Sequence, residues 1–105
     1  MVSGKLLMAA SAVLALQAHP LRAQLLIDRL RQKADCELNH IADTRSRYGV
    51  SLIRDACSFL VTPTSSFHPG RMEFARCVLQ VMPGSQSEVA SVELASACRQ
   101  RFPPD

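Results

Sequence analysis

Tryptophan is absent from the 105-residue chain, tyrosine occurs once, and aromatic residues make up only 5%. A helical bundle that carries an apolar ligand needs more bulky apolar side chains than this to line a cavity, so that class is disfavoured. The four glycines form no cluster, which removes a phosphate-cradling loop. Neither G-x-S-x-G nor H-E-x-x-H occurs, so the commonest hydrolase and metalloprotease signatures are missing. No segment alternates apolar and polar residues with a period of two, which argues against strands and for an all-α chain. A single long apolar run, Leu6 to Leu16, has eleven residues, whereas a bilayer-spanning helix needs about 20.

That run has the length of the apolar core of a secretory leader, and Lys5 supplies the positive start. Cleavage is expected after Ala23, with Ala18 as the alternative, leaving a leader of residues 1–23 and a single helical domain of residues 24–105. Lys5 and Arg22 depart with the leader, so Lys+Arg falls from 12 to 10 against nine acids. The remaining charge of about +1 gives no argument for nucleic acid, and nothing in the mature part calls for a membrane. The expected location is periplasmic or secreted. A domain of this size has a marginal core and usually needs a staple. Cys36, Cys57, Cys77 and Cys98 can supply one: an even number of cysteines in an exported chain reads as two disulfides.

Helical spacing of apolar residues marks Gln24 to Ala42 (Leu26, Leu30, Ala34, Leu38, Ile41) and Tyr48 to Val61 (Ile53, Cys57, Leu60, Val61). It also marks Arg71 to Met82 (Phe74, Cys77, Val78, Val81). A fourth helix runs to about Arg101, with Leu94, Cys98 and Phe102 in one row. Ser85 and Glu88 match a capping box at its start, and Pro103-Pro104 ends it. Short polar connections favour antiparallel neighbours and a compact four-helix arrangement. The exception is Thr62–Gly70 (TPTSSFHPG), with two prolines, a glycine and four hydroxyl residues, which must be a loop.

Four cysteines allow three pairings. A weak echo at an offset of 41 residues aligns Cys36-x-Leu38-Asn39 with Cys77-x-Leu79-Gln80, and Ala56-Cys57 with Ala97-Cys98. The echo implies two helical hairpins and is the reason for expecting Cys36–Cys57 and Cys77–Cys98. Cys36 lies off the apolar stripe of its own helix, a position that tolerates such a bridge without demanding it.

Cys36 and His40 share a helical face, but two ligands fall short of the four of a structural zinc site. With Cys57 expected in a disulfide, no metal or cofactor is assigned, and His40 reads as a surface residue. A Cys–His nucleophile pair with His40 or His68 would need a free thiolate. The carboxylates are scattered over polar faces, and no two of them form a general acid/base pair. The chain is read as a non-enzyme that binds a protein partner. The surface chosen for that role is the loop segment Thr64, Ser65, Ser66, Phe67 and His68, a proline-bounded, partly apolar stretch suited to a partner's cleft. The plainer alternative folds Phe67 back as a lid on the core. Arg99 and Arg101 are accounted for as cations near a helix C-terminus.

The stretch Met72 to Pro103 resembles the end of the Rap/Tai-type immunity proteins, small exported helical proteins that neutralise peptidoglycan amidases delivered by type VI secretion. Leu79, Pro83, Ala90, Val92, Leu94, Ala97, Phe102 and Pro103 fall in that family's register. Leu25 to Cys36 looks like its opening helix, and Ala56-Cys57 followed by Phe59-Leu60 looks like its second cysteine helix. Pro104 stands where the family has its last cysteine, and Cys98 where leucine is usual. The resemblance implies a periplasmic immunity protein, a homodimer, that occludes a cell-wall amidase. The alternative from the residues alone is a periplasmic chaperone, stress protein or other secreted helical interaction protein.

Overall fold

The computed structural model describes the backbone of residues 2–105 and the side chains of residues 20–105. Most of the expected leader, with the Ala18 cleavage point, therefore lies outside the residues whose side chains are described. Four α-helices are present: α1 (Val2–Ile41), α2 (Arg47–Leu60), α3 (Pro69–Val81) and α4 (Glu88–Arg101), with a 3-10 turn at Ser65–Phe67 between α2 and α3. No strand occurs among the described residues. The chain divides into two compact units, residues 1–30 and 31–105. Among the described residues no helix is long and apolar enough to cross a membrane.

Both expected disulfides are formed, Cys36–Cys57 joining α1 to α2 and Cys77–Cys98 joining α3 to α4, with Cα–Cα separations of 5.7 and 5.8 Å. The stapled four-helix fold is thus as the sequence predicts. Its buried centre consists of Ile53, Ala56 and Cys57 from α2, Ala75 and Val78 from α3, Met82 just after it, and Ala95 and Cys98 from α4. From α1, Cys36 and Ile41 pack against this centre. Leu38 is 75% exposed, so the α1 stripe expected around Leu26, Leu30 and Leu38 is not the buried one. In α3 the inward face is Ala75, Val78 and Met82, so of the expected stripe Val78 is fully buried, Phe74 and Cys77 are half-buried at the edge of the core, and Val81 is exposed. Small side chains let α3 approach its neighbours closely, and the larger Phe74 then fits only at the edge.

The helix starts have local causes. Pro69 opens α3 two residues earlier than expected, because proline lacks the N–H that the first turn cannot use and already has helical φ. Ser46 caps α2 by accepting from the Gly49 N–H, and Ser87 caps α4 by accepting from the Ala90 N–H. The expected Ser85–Glu88 capping box is therefore not formed. Ser85 is buried and accepts a hydrogen bond from the Ser91 hydroxyl at 2.9 Å.

The turn that follows α1 and the turn that follows α3 are stitched to each other. Arg45 and Ser46 donate backbone N–H bonds to the Ser85 carbonyl, Gly84 N–H donates to Thr44 Oγ1, and Gln86 Nε2 donates to the Asp43 carbonyl. Asp43 and Gly84 occupy the same place in their turns, with φ of 65° and 79°. Glycine reaches this left-handed region freely, and aspartate is among the few side chains that tolerate it.

Candidate functional site

The loop chosen from the sequence is ordered by its own backbone. Thr62 N–H donates to the Phe59 carbonyl, Ser65 to Thr62, Phe67 to Thr64 and His68 to Ser65, while Thr62 Oγ1 donates to the Ser58 carbonyl at 2.9 Å. Met72 N–H then donates to the His68 carbonyl and starts α3. On this frame Phe67 is 76% exposed, so it does not fold back as a lid. Thr64, Ser66 and His68 are also exposed, and Ser65 is half-buried.

Beside the loop, α2 and α3 leave a recess of about 160 Å³ lined by Leu52, Ala56, Phe59, Phe74 and Pro104, with Arg71 at its edge. The Arg71 guanidinium lies 4.4 Å from the centre of the Phe59 ring, a stacked cation–π arrangement. The His68 ring packs on Phe59 from 6.5 Å. Asp105 Oδ1 accepts the Arg71 backbone N–H at 3.0 Å, and the segment from Pro103 to Asp105 lies close enough to Gly70 to leave no room for a side chain there.

Arg45, Arg47 and Arg54 line a second hollow on the outer side of α2. Both hollows include Asp55. The ion pairs among the described residues are Lys33–Glu37 and Arg76–Glu73. Among the described residues Arg45, Arg47, Arg54 and Arg71 form no ion pair, although Arg71 stacks on Phe59.

The α2 N-terminus below these arginines is closed by a residue from another helix. Glu88 accepts the Arg47 N–H at 2.6 Å and the Tyr48 N–H at 3.1 Å. Ser46 Oγ takes the Gly49 N–H, and the Ser46 carbonyl takes that of Val50. The first turn is left with no unsatisfied donor. The hydrogen bond from Tyr48 holds the Glu88 carboxyl below its ordinary 4.5, opposed by desolvation and helped by the hydrogen bond and charge of Arg47. Sequence reasoning missed this pairing because Glu88 also matched a local partner. The available clue is that Ser46 has Gly49 three residues on, with no acid to complete its own box.

Of the other groups weighed from the sequence, His40 is half-buried on α1, with Nδ1 2.6 Å from the Cys36 carbonyl. His68 stands apart from it at the loop. Arg99 Nη2 donates to the Tyr48 hydroxyl at 3.0 Å, which ties α4 to α2 beyond any role at its helix end.

No curated protein and no solved structure matches the chain. The resemblance to the Rap/Tai immunity proteins is not upheld, because the family model that matches describes a different family. That resemblance rested on spaced leucine, alanine, phenylalanine and proline, which any amphipathic helix with a proline stop can provide. The immunity role and the homodimer drawn from it lose their basis. The matching model, described as four-cysteine protein VF_A0006-like, covers residues 13–102 with all four cysteines, and the chain belongs to that family.

Proposed function

We propose that this is an exported, non-enzymatic helical protein that binds a protein partner through the Thr62–Gly70 loop and the recess beside it. The observation that carries the reading is Phe67, 76% exposed on a hydrogen-bonded 3-10 turn. An aromatic side chain on an already ordered loop loses little freedom on docking. Phenylalanine and arginine are both enriched in interfaces, and arginine is among the residues that most often dominate their energy. The apolar recess with Arg71 at its edge and three further arginines nearby has that composition. Export to the periplasm or medium is supported by the leader-like residues 1–23 and by the presence of two disulfides, which persist in oxidising compartments.

The test is capture from a periplasmic extract with the tagged protein, analysed by mass spectrometry, against Phe67→Ala. One stoichiometric partner, retained by wild type and weakened at least about tenfold by the substitution, is expected for the loss of a central aromatic anchor. Equal retention by both proteins would refute the loop as the binding surface. A second reading, a periplasmic chaperone or stress protein, draws on Leu25, Leu26, Ile27 and Leu30 of α1, which are 46–59% exposed. It predicts many weak clients whose capture is unaffected by Phe67→Ala and is lost when these α1 residues are made polar.

A further inference from the structure

We infer that, once the Cys36–Cys57 disulfide is reduced, Cys36, Cys57 and His40 form a three-ligand site for a divalent zinc ion. The two sulfurs and a ring nitrogen of His40 lie within 4.8 Å of one another. Zinc with Zn–S near about 2.3 Å and Zn–N near about 2.0 Å holds tetrahedral ligands roughly 3.5 Å apart. Cys36 and His40 sit one helical turn apart on α1, and Cys57 faces them from α2 with a Cα–Cα separation of 5.7 Å to Cys36.

The surroundings suit a metal ligand. A backbone carbonyl can only accept, so the 2.6 Å contact to the Cys36 carbonyl places the proton on His40 Nδ1 and leaves the lone pair on Nε2. Metal-bound histidines commonly have their second nitrogen held in this way. Cys57 is fully buried, whereas Cys36 and His40 are half-buried. The site is therefore anchored on its inner side and open to a water molecule as fourth ligand. Cys77 and Cys98 have no such histidine beside them among the described residues.

The chemistry balances with an external dithiol. Two electrons pass from it to the Cys36–Cys57 bond, which breaks, and the dithiol leaves as its own disulfide. Zinc then displaces two thiol protons to solvent without changing its charge. Disulfide and metal are alternative staples for the same joint between α1 and α2.

The experiment uses the whole chain, reduced with dithiothreitol, desalted without oxygen and titrated with Co(II) as a spectroscopic stand-in for zinc. One equivalent is expected to give thiolate-to-cobalt charge-transfer absorption and release two protons, while the oxidised protein gives neither. His40→Ala should weaken binding at least about tenfold, as for the loss of a metal's supporting groups. Because reduction also frees Cys77 and Cys98, absorption of equal strength and affinity in His40→Ala overturns the assignment, as does no absorption at one equivalent. Should reduction melt the helices, Zn(II) is expected to restore the helical circular dichroism of wild type; metal uptake without regained helix also overturns it.

Discussion

Glu88 holds the first turn of a helix to which it does not belong, and with the Arg99–Tyr48 hydrogen bond it ties α4 to α2. Its folded pKa lies below the ordinary 4.5, mainly through the Tyr48 hydrogen bond. The carboxylate therefore contributes stability that is complete above 4.5 and is lost as pH falls through the lower folded value. Glu88→Gln is expected to be less stable than wild type at neutral pH and to show less additional loss on acidification below 4.5, read from urea midpoints at several pH values. Gly49 is a second residue whose identity matters for space. A Cβ there would stand 2.6 Å from Ser85 Oγ and 3.1 Å from Ser91 Oγ, the two hydroxyls that bond each other in the interior. Overpacking costs about 1–3 kcal/mol, against about 1 kcal/mol of helix propensity gained by alanine. Clash and a disturbed buried hydrogen bond outweigh propensity, so Gly49→Ala should lower the urea midpoint.

Among the elements, α1 depends on its staple more than the others do. It reaches the core with Cys36 and Ile41, while α2, α3 and α4 supply every buried core side chain of the helices. Each disulfide closes a loop with a sequence separation of 21, which the chain-entropy model values at about 3 kcal/mol. Replacing Cys36 and Cys57 by alanine should release α1, so that limited trypsin digestion cuts first at Arg29, Arg31 or Lys33 and leaves α2–α4 as a slower fragment. Replacing Cys77 and Cys98 should instead loosen α2–α4 themselves, with no protected fragment. The loop between α2 and α3 behaves oppositely. Phe67 touches little, so Phe67→Ala should leave the thermal midpoint almost unchanged, within the about 0.5 kcal/mol usual for surface changes, while weakening partner capture.

At the scale of the whole molecule, the offset of 41 residues runs through the described helices and turns of residues 31–105. It relates Cys36 to Cys77, Asp43 to Gly84, the cap Ser46 to the cap Ser87, and α2 (Arg47–Leu60) to α4 (Glu88–Arg101). The echo was legible in the sequence because cysteines and their helical context are local and discrete, and it led to both disulfides. The all-α class and the connection at residues 62–68 were equally legible, since period and proline content act within a few residues, although Pro69 and Gly70, read as loop, open α3. The buried faces of α1 and α3 were legible only in part, through Ile41 and Val78. Spacing marks an apolar stripe, but which part of it is covered depends on how closely neighbours approach, and here Ala75, Ala95 and Ser91 allow contact that displaces Phe74 and Val81 outward. Glu88 shows the same limit for polar groups: two N-termini compete for one carboxylate, and only the packing of one turn on the other decides the choice. Sequence alone therefore determined the helices, their ends in outline and the pairing of the cysteines, because these follow from local periodicity and repeated spacing. The tertiary structure alone decided which apolar faces are covered, which helix Glu88 caps and that His40 meets the Cys36–Cys57 pair, because each requires groups brought together across the fold.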